Sequence, residues 1–214
     1  MIASTASEAL ESSEPRVRLD HETRQGQIYA AAARIFCDKG YGQASMSDIA
    51  AAMGMTKAGI YHHIVSKDEL LFGIMSYGMD LFEEMVLDRV SQIRDPVERL
   101  RAAIRGHVLL VTRDRPKEVT VVLNESHTLK GEYRELINKR KRCYIRFLEA
   151  TFNEMIDQGL TQSIDPRVAT FAMLGMINWI YQWYRPEGRL KDTELAEFLT
   201  DLFLHGVLRK SKSS

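Results

Sequence analysis

Apolar residues recur along this chain every three or four positions, and the two-residue alternation of a half-buried strand is absent. The pattern predicts an all-α protein of about nine helices. The first spans about 23–38 and carries Ile28, Ala32, Ile35 and Phe36 on one face; Lys39-Gly40 ends it, because glycine suits the left-handed position after a helix. Ser45, with Asp48 three residues on, caps a second helix over about 46–53. Gly54 breaks the chain, Thr56 caps a third helix over about 57–63, and Ser66-Lys67-Asp68-Glu69 reads as a capping box opening a fourth that runs to about 92. Asp95-Pro96 opens the fifth, since proline is accommodated at the first helical position. Pro116 starts a short sixth helix, and a long seventh over about 131–158 stops at Gly159. Asp165-Pro166 opens an eighth, which Arg185-Pro186-Glu187-Gly188 closes, and a ninth covers about 193–208. Residues 1–22 are rich in Ser, Ala and Glu, lack a periodic apolar face and read as a disordered arm.

Composition narrows the function classes. A chain of 214 residues holds one large or two small domains with a real core. Its formal net charge is zero, so any affinity for nucleic acid must come from a local patch. The most apolar run, around 168–184, contains Asn178, Gln182 and two Trp, and is too short and polar for a membrane span. The N-terminus has no charged and then apolar leader, so a cytoplasmic protein is expected. Cys37 and Cys143 lie far apart without a spacing motif and read as buried reduced thiols. No nucleophile elbow, phosphate-binding loop, paired-carboxylate signature or metal-ligand spacing is present, so neither catalysis nor a cofactor is expected.

The second and third helices, joined through Gly54, form a helix-turn-helix pattern. In that motif the second helix enters the DNA major groove while the first lies across the backbone. The chemistry fits this use. Thr56, Tyr61 and His62 can bond phosphate oxygens or base edges, and Lys57 adds a cation at the leading end. Ala58 and Gly59 keep that end slim, so backbone can approach the groove. Lys67 lies at the start of the fourth helix beside free backbone N–H groups, a natural phosphate clamp. Ser45 and Ser47 complete the candidate DNA-contacting set. Residues 24–67 carry Arg24, Arg34, Lys39, Lys57 and Lys67 against Asp38 and Asp48. The bland reading is a helical hairpin in a structural bundle whose Tyr-His-His run is a packed helix end. His62 and His63 are adjacent and face different directions, which is wrong for zinc.

The stretch "YGQASMSDIAAAMGMTKAGIYHHIVSKDELL" resembles the DNA-binding domain of the TetR family of bacterial transcriptional repressors over about residues 24–72. Ala58 stands where Gly is frequent in that family, and Ile64 where Phe is usual. The resemblance implies a DNA-binding domain over 23–68 and a ligand-binding and dimerisation domain over 69–214. It also implies a homodimer on double-stranded operator DNA that a small-molecule effector releases.

The second part of the chain has its own signals. The run "RVATFAMLGMINWIYQWY" is apolar nearly all round, and a helix with no wet face must be covered on both sides. Ala172 and Gly175 allow another helix to come close; the ninth helix supplies Leu195, Phe198, Leu199, Leu202 and Phe203. These two helices either fill a monomer core or, as the resemblance implies, form a four-helix bundle with a partner's pair. On the seventh helix Arg140 falls within the stripe of Tyr133, Leu136, Ile137, Tyr144, Phe147 and Leu148. A buried guanidinium must be paired, either with an internal carboxylate such as Glu125 or with an anionic ligand group. Asn124, Glu125, His127, Arg140, Tyr144, Trp179 and Trp183 form the candidate ligand-binding set, and abundant Met suits an adaptable pocket. The segment "MLGMINWIYQWYRPEG" is similar to that of TetR-type repressors responding to acyl-CoA thioesters. That likeness would give Arg140 or its basic neighbours a CoA phosphate to bind. Two other function classes are a helical small-molecule carrier with no DNA role and an enzyme of helical architecture.

Overall fold

The computed structural model describes residues 24–113, 117–125 and 127–209; the expected N-terminal arm and Pro116 lie outside them. The helices are α1 (Arg24–Lys39), α2 (Met46–Ala52), α3 (Lys57–Tyr61), α4 (Lys67–Phe82), α5 (Pro96–Thr112), α6 (Lys117–Asn124), α7 (Gly131–Asp157), α8 (Pro166–Asn178) and α9 (Asp192–Val207). Among the described residues there is no strand, only an isolated bridge between Thr161 and Leu208. Two stretches depart from the expected helices. The fourth passes at Phe82 into a π-helical turn (Glu83–Leu87) and then a last α turn (Asp88–Val90). The eighth breaks at Trp179, leaving a separate turn over Ile180–Trp183.

The helix starts follow from local hydrogen bonding. The Ser45 hydroxyl accepts the Asp48 N–H at 3.1 Å, while the Asp48 carboxylate accepts the Ser45 N–H at 2.8 Å. Thr56 accepts the Gly59 N–H at 3.0 Å. Asp95 accepts from Val97 and Glu98, and Asp165 from Val168, each just ahead of a proline at the first helical position. At the start of α4, Ser66 accepts the Glu69 N–H and the Glu69 carboxylate reaches back to the Val65 N–H at 2.7 Å. Gly40 and Gly54 hold φ of 78° and 61°, a left-handed backbone costly for other L residues.

The described residues fall into two compact units. The first comprises 24–81 and 117–140, excluding Ser126: α1 to α3, nearly all of α4, α6 and the start of α7. Here α1 packs on α2 and α6, and α2 on α3. Ile28, Ala32, Phe36, Ile49, Ile60, Ile64, Leu70 and Ile74 are buried together in this unit. Two glycines let α4 be approached closely. A Cβ on Gly73 would lie 2.4 Å from the Tyr29 ring, and one on Gly78 would lie 2.8 Å from the Glu118 carbonyl oxygen of α6.

The second unit comprises 82–113 and 141–209. Helix α5 is its centre: the π turn, α8, the Ile180–Trp183 turn and α9 all pack against it. Leu100, Ala103, Ile104, Val108, Leu148, Phe152, Met155, Met173, Ile177 and Ala196 are buried here. Arg101–Asp201, Arg105–Glu197 and Arg113–Asp192 ion pairs (3.0, 2.5 and 2.8 Å) link α5, or the residue just after it, to α9. Such exposed pairs contribute at most about 1 kcal/mol each, so apolar burial dominates the packing.

Candidate functional site

In the first unit the helix-turn-helix surface is built from short, capped pieces. Ile60 is fully buried and anchors α3, while Thr56, Lys57, Ala58, Tyr61 and His62 lie on the surface, with Tyr61 44% exposed. Gly59 is half-buried under Thr56 and Met55, whose side-chain atoms would sit 3.3 and 3.4 Å from a Cβ there. Ser45 and Ser47 are exposed at the start of α2. Lys39 donates to Asp48 at 2.8 Å, and together with Ser45 it holds the Asp48 carboxyl well below the usual carboxylate range. The outward row can therefore offer hydroxyls from Thr56 and Tyr61, an ammonium from Lys57 and an imidazole from His62.

Lys67 is placed differently from the rest of the set. Its ammonium donates to the Tyr41 backbone carbonyl and lies over the Tyr41 ring, 4.1 Å from the centroid. Tyr41 is a local hub that the sequence reading missed. Its N–H donates to Glu125 at 3.1 Å, its hydroxyl to Asp68 at 2.5 Å, and its ring packs edge-on against Phe36. The loop between α1 and α2 is thus tied to the start of α4 and the end of α6.

The candidate ligand residues divide between the units. In the first, Glu125 accepts from Tyr41 and from the Thr128 hydroxyl, Asn124 is half-buried at the end of α6, and His127 is exposed. Arg140 does form an internal ion pair, but with Asp80 at 2.6 Å, and it donates to the Ser76 carbonyl at 3.0 Å. Glu125 was the partner named from the sequence; its carboxylate serves Tyr41 and Thr128 instead. In the second unit Tyr144 is buried in an aromatic cluster, whereas Trp179 and Trp183 are 62% and 50% exposed. Both cysteines are free thiols. Among the described residues no group of three His, Cys, Asp or Glu is placed to hold a metal, and no helix is long and apolar enough to cross a membrane.

The family of bacterial regulatory proteins of tetR type matches residues 28–74, and the tetracyclin repressor-like C-terminal domain matches 94–207. The chain belongs to the TetR family of transcriptional regulators. As a TetR-family protein it is a DNA-binding regulator of transcription. A solved structure of AibR in complex with isovaleryl coenzyme A and operator DNA is 52% identical, with a TM-score of 0.81, over 84% of this chain and 97% of that one. The transcriptional repressor KstR2 of Mycobacterium tuberculosis is 22% identical over 91% of this chain and 98% of its own. The fatty acid metabolism regulator protein of Bacillus subtilis is 24% identical over 86% and 95%.

Proposed function

We propose that this TetR-family protein is a homodimeric repressor, working in the cytoplasm, whose hold on its operator is weakened by an acyl-CoA thioester. Thr56, Lys57, Tyr61 and His62 meet the major groove, while Ser45 and Ser47 meet the phosphate backbone. Lys67 acts through the loop it fastens at Tyr41 as well as by its charge. The observation that carries the effector reading is the 52% identity, over nearly the whole of that chain, to a protein solved with isovaleryl coenzyme A and operator DNA. Two apolar rows support a dimer through α8 and α9. Val168 and Phe171 on α8 are 67% and 47% exposed, and Phe198 and Leu202 on α9 are 61% and 59% exposed.

A thioester held in the second unit acts on α4 through Phe82, where that helix runs out of the first unit into the π turn. To act at all, it must bind the conformation with low operator affinity more tightly than the other. Coupling of about 1–3 kcal/mol lowers operator affinity without forbidding a complex that holds both ligands.

Fluorescence anisotropy with DNA from upstream of the protein's own gene tests the reading. Binding is expected to weaken steeply as salt rises, because phosphate contacts release counterions. Tyr61→Ala is expected to weaken it roughly tenfold, on the order of one lost charge-assisted contact. Isovaleryl-CoA is expected to reduce affinity within the coupling range above. A protein with no salt-dependent DNA binding would instead be a helical small-molecule carrier.

A further inference from the structure

The buried face of α5 is apolar at Leu100, Ala103, Ile104, Val108 and Val111, and His107 interrupts it. His107 and Tyr144 of α7 are each 5% exposed. Their rings lie 5.8 Å apart, and both meet the edge or face of Phe82, at 5.0 and 4.6 Å. Phe147 lies 6.5 Å from Tyr144. Neither His107 Nδ1 nor the Tyr144 hydroxyl has a hydrogen-bond partner among the described residues. Among the buried hydroxyls of the same unit Thr170 Oγ1 is also unpaired, but it stands apart from these rings, and three others are bonded within their own helices. Thr112, Thr151 and Thr200 each donate to the carbonyl one turn back. An unpaired buried polar group costs about 1–3 kcal/mol, so two in one cluster require a reason beyond packing.

Burial decides what such a pair can receive. It pushes the His107 imidazole down to about 4 and the Tyr144 phenol upward, so both are uncharged near neutral pH. A carboxylate seated among these rings would lose its hydration, and Phe82, Phe147 and the neutral His107 and Tyr144 supply no charge to offset that loss. A carbonyl oxygen carries no charge and has two lone pairs. It can accept the Tyr144 O–H and, from the Nδ1–H tautomer, the His107 N–H.

We propose that His107 and Tyr144 are the polar end of the effector site, donating hydrogen bonds to the carbonyl oxygen of an uncharged acyl group while Phe82 and Phe147 take its hydrocarbon. This rests on the acyl thioester reading above and adds how the acyl end is recognised. The site accepts a thioester and rejects the corresponding free acid, whatever holds the CoA phosphates. Because Phe82 touches both polar residues and precedes the π turn, an acyl group seated there acts directly on the end of α4.

Isothermal titration of the full chain tests this with isovaleryl-CoA and isovalerate on wild type, Tyr144→Phe and His107→Phe. Urea unfolding of each protein without ligand accompanies it. Wild type is expected to bind the thioester and not the acid. Each variant is expected to bind the thioester roughly tenfold more weakly, the effect of one hydrogen bond. Its ligand-free stability should be unchanged or higher, because no native hydrogen bond is removed. Wild-type affinity in both variants would overturn the site while leaving the effector reading intact. So would a loss of ligand-free stability in Tyr144→Phe, which would expose a structural role for the hydroxyl, or equal binding of isovalerate. Failure of wild type to bind the thioester would remove the effector reading and this site with it.

Discussion

His107 also has a consequence for stability that ligand binding does not enter. Its imidazole is neutral in the folded protein down to about pH 4, against an ordinary value of 6.5. Below 6.5 the unfolded chain binds a proton that the folded chain refuses, so the unfolded state gains and stability falls as pH drops. The window runs from about 6.5 down to 4. At pH 5 the loss is on the order of 2 kcal/mol from this residue. Tyr144, the titratable group against it, stays protonated throughout that range and does not interfere. Urea unfolding at pH 7.5 and pH 5 measures the loss. His107→Phe is expected to remove most of the difference between the two pH values, and an unchanged difference would place the titration elsewhere. Tyr41 makes the opposite point at the same scale. It has no unpaired group to explain: N–H, carbonyl and hydroxyl are all bonded, to Glu125, Lys67 and Asp68.

At the level of elements, close approach to α4 is the feature most open to test. Gly78→Ala places a methyl 2.8 Å from the Glu118 carbonyl and 2.9 Å from Val122. Backbone cannot swing aside as a side-chain tip can, so overpacking of about 1–3 kcal/mol outweighs the ~1 kcal/mol that alanine gains in helix propensity. Gly106→Ala on α5 meets only Val86 methyls at 3.7 and 3.8 Å, ordinary contact. The first variant is expected to be destabilised and the second stabilised by up to ~1 kcal/mol, both read by urea unfolding at one protein concentration. The elements themselves were largely legible in the sequence, because the signals that start them are local. Ser45 with Asp48, Thr56 with Gly59, Asp95 and Asp165 all act within three residues. The π turn was not legible, since an apolar stripe drifts too little over five residues to separate π from α. The partner of Arg140 was not legible either, because Asp80 is 60 residues away and only packing selects it over Glu125. His107 was not singled out from the sequence, because nothing local says that its Nδ1 stays unbonded.

For the whole molecule the question is how a chain of zero net charge holds an operator. A single α3 of five residues spans too few base pairs, and the flanking cations are partly engaged: Lys39 with Asp48 and Lys67 with Tyr41. Duplication supplies what one head lacks, provided two recognition helices sit about 34–36 Å apart. The exposed rows on α8 and α9 are the natural surface for it, because large apolar side chains left in water on both helices gain by being covered. Phe198→Arg and Leu202→Glu separate assembly from folding, since both side chains are already more than half exposed and leave no cavity when replaced. Sedimentation of the double variant is expected to give half the wild-type mass, with an unchanged helical circular dichroism spectrum. Losing the second head also loses its share of phosphate and base contacts. Operator affinity should therefore fall by at least a hundredfold, and the slope of log affinity against log salt should roughly halve. A variant that still sediments as wild type would move the interface off these two helices. One that sediments as a monomer yet keeps full operator affinity would remove the need for duplication altogether.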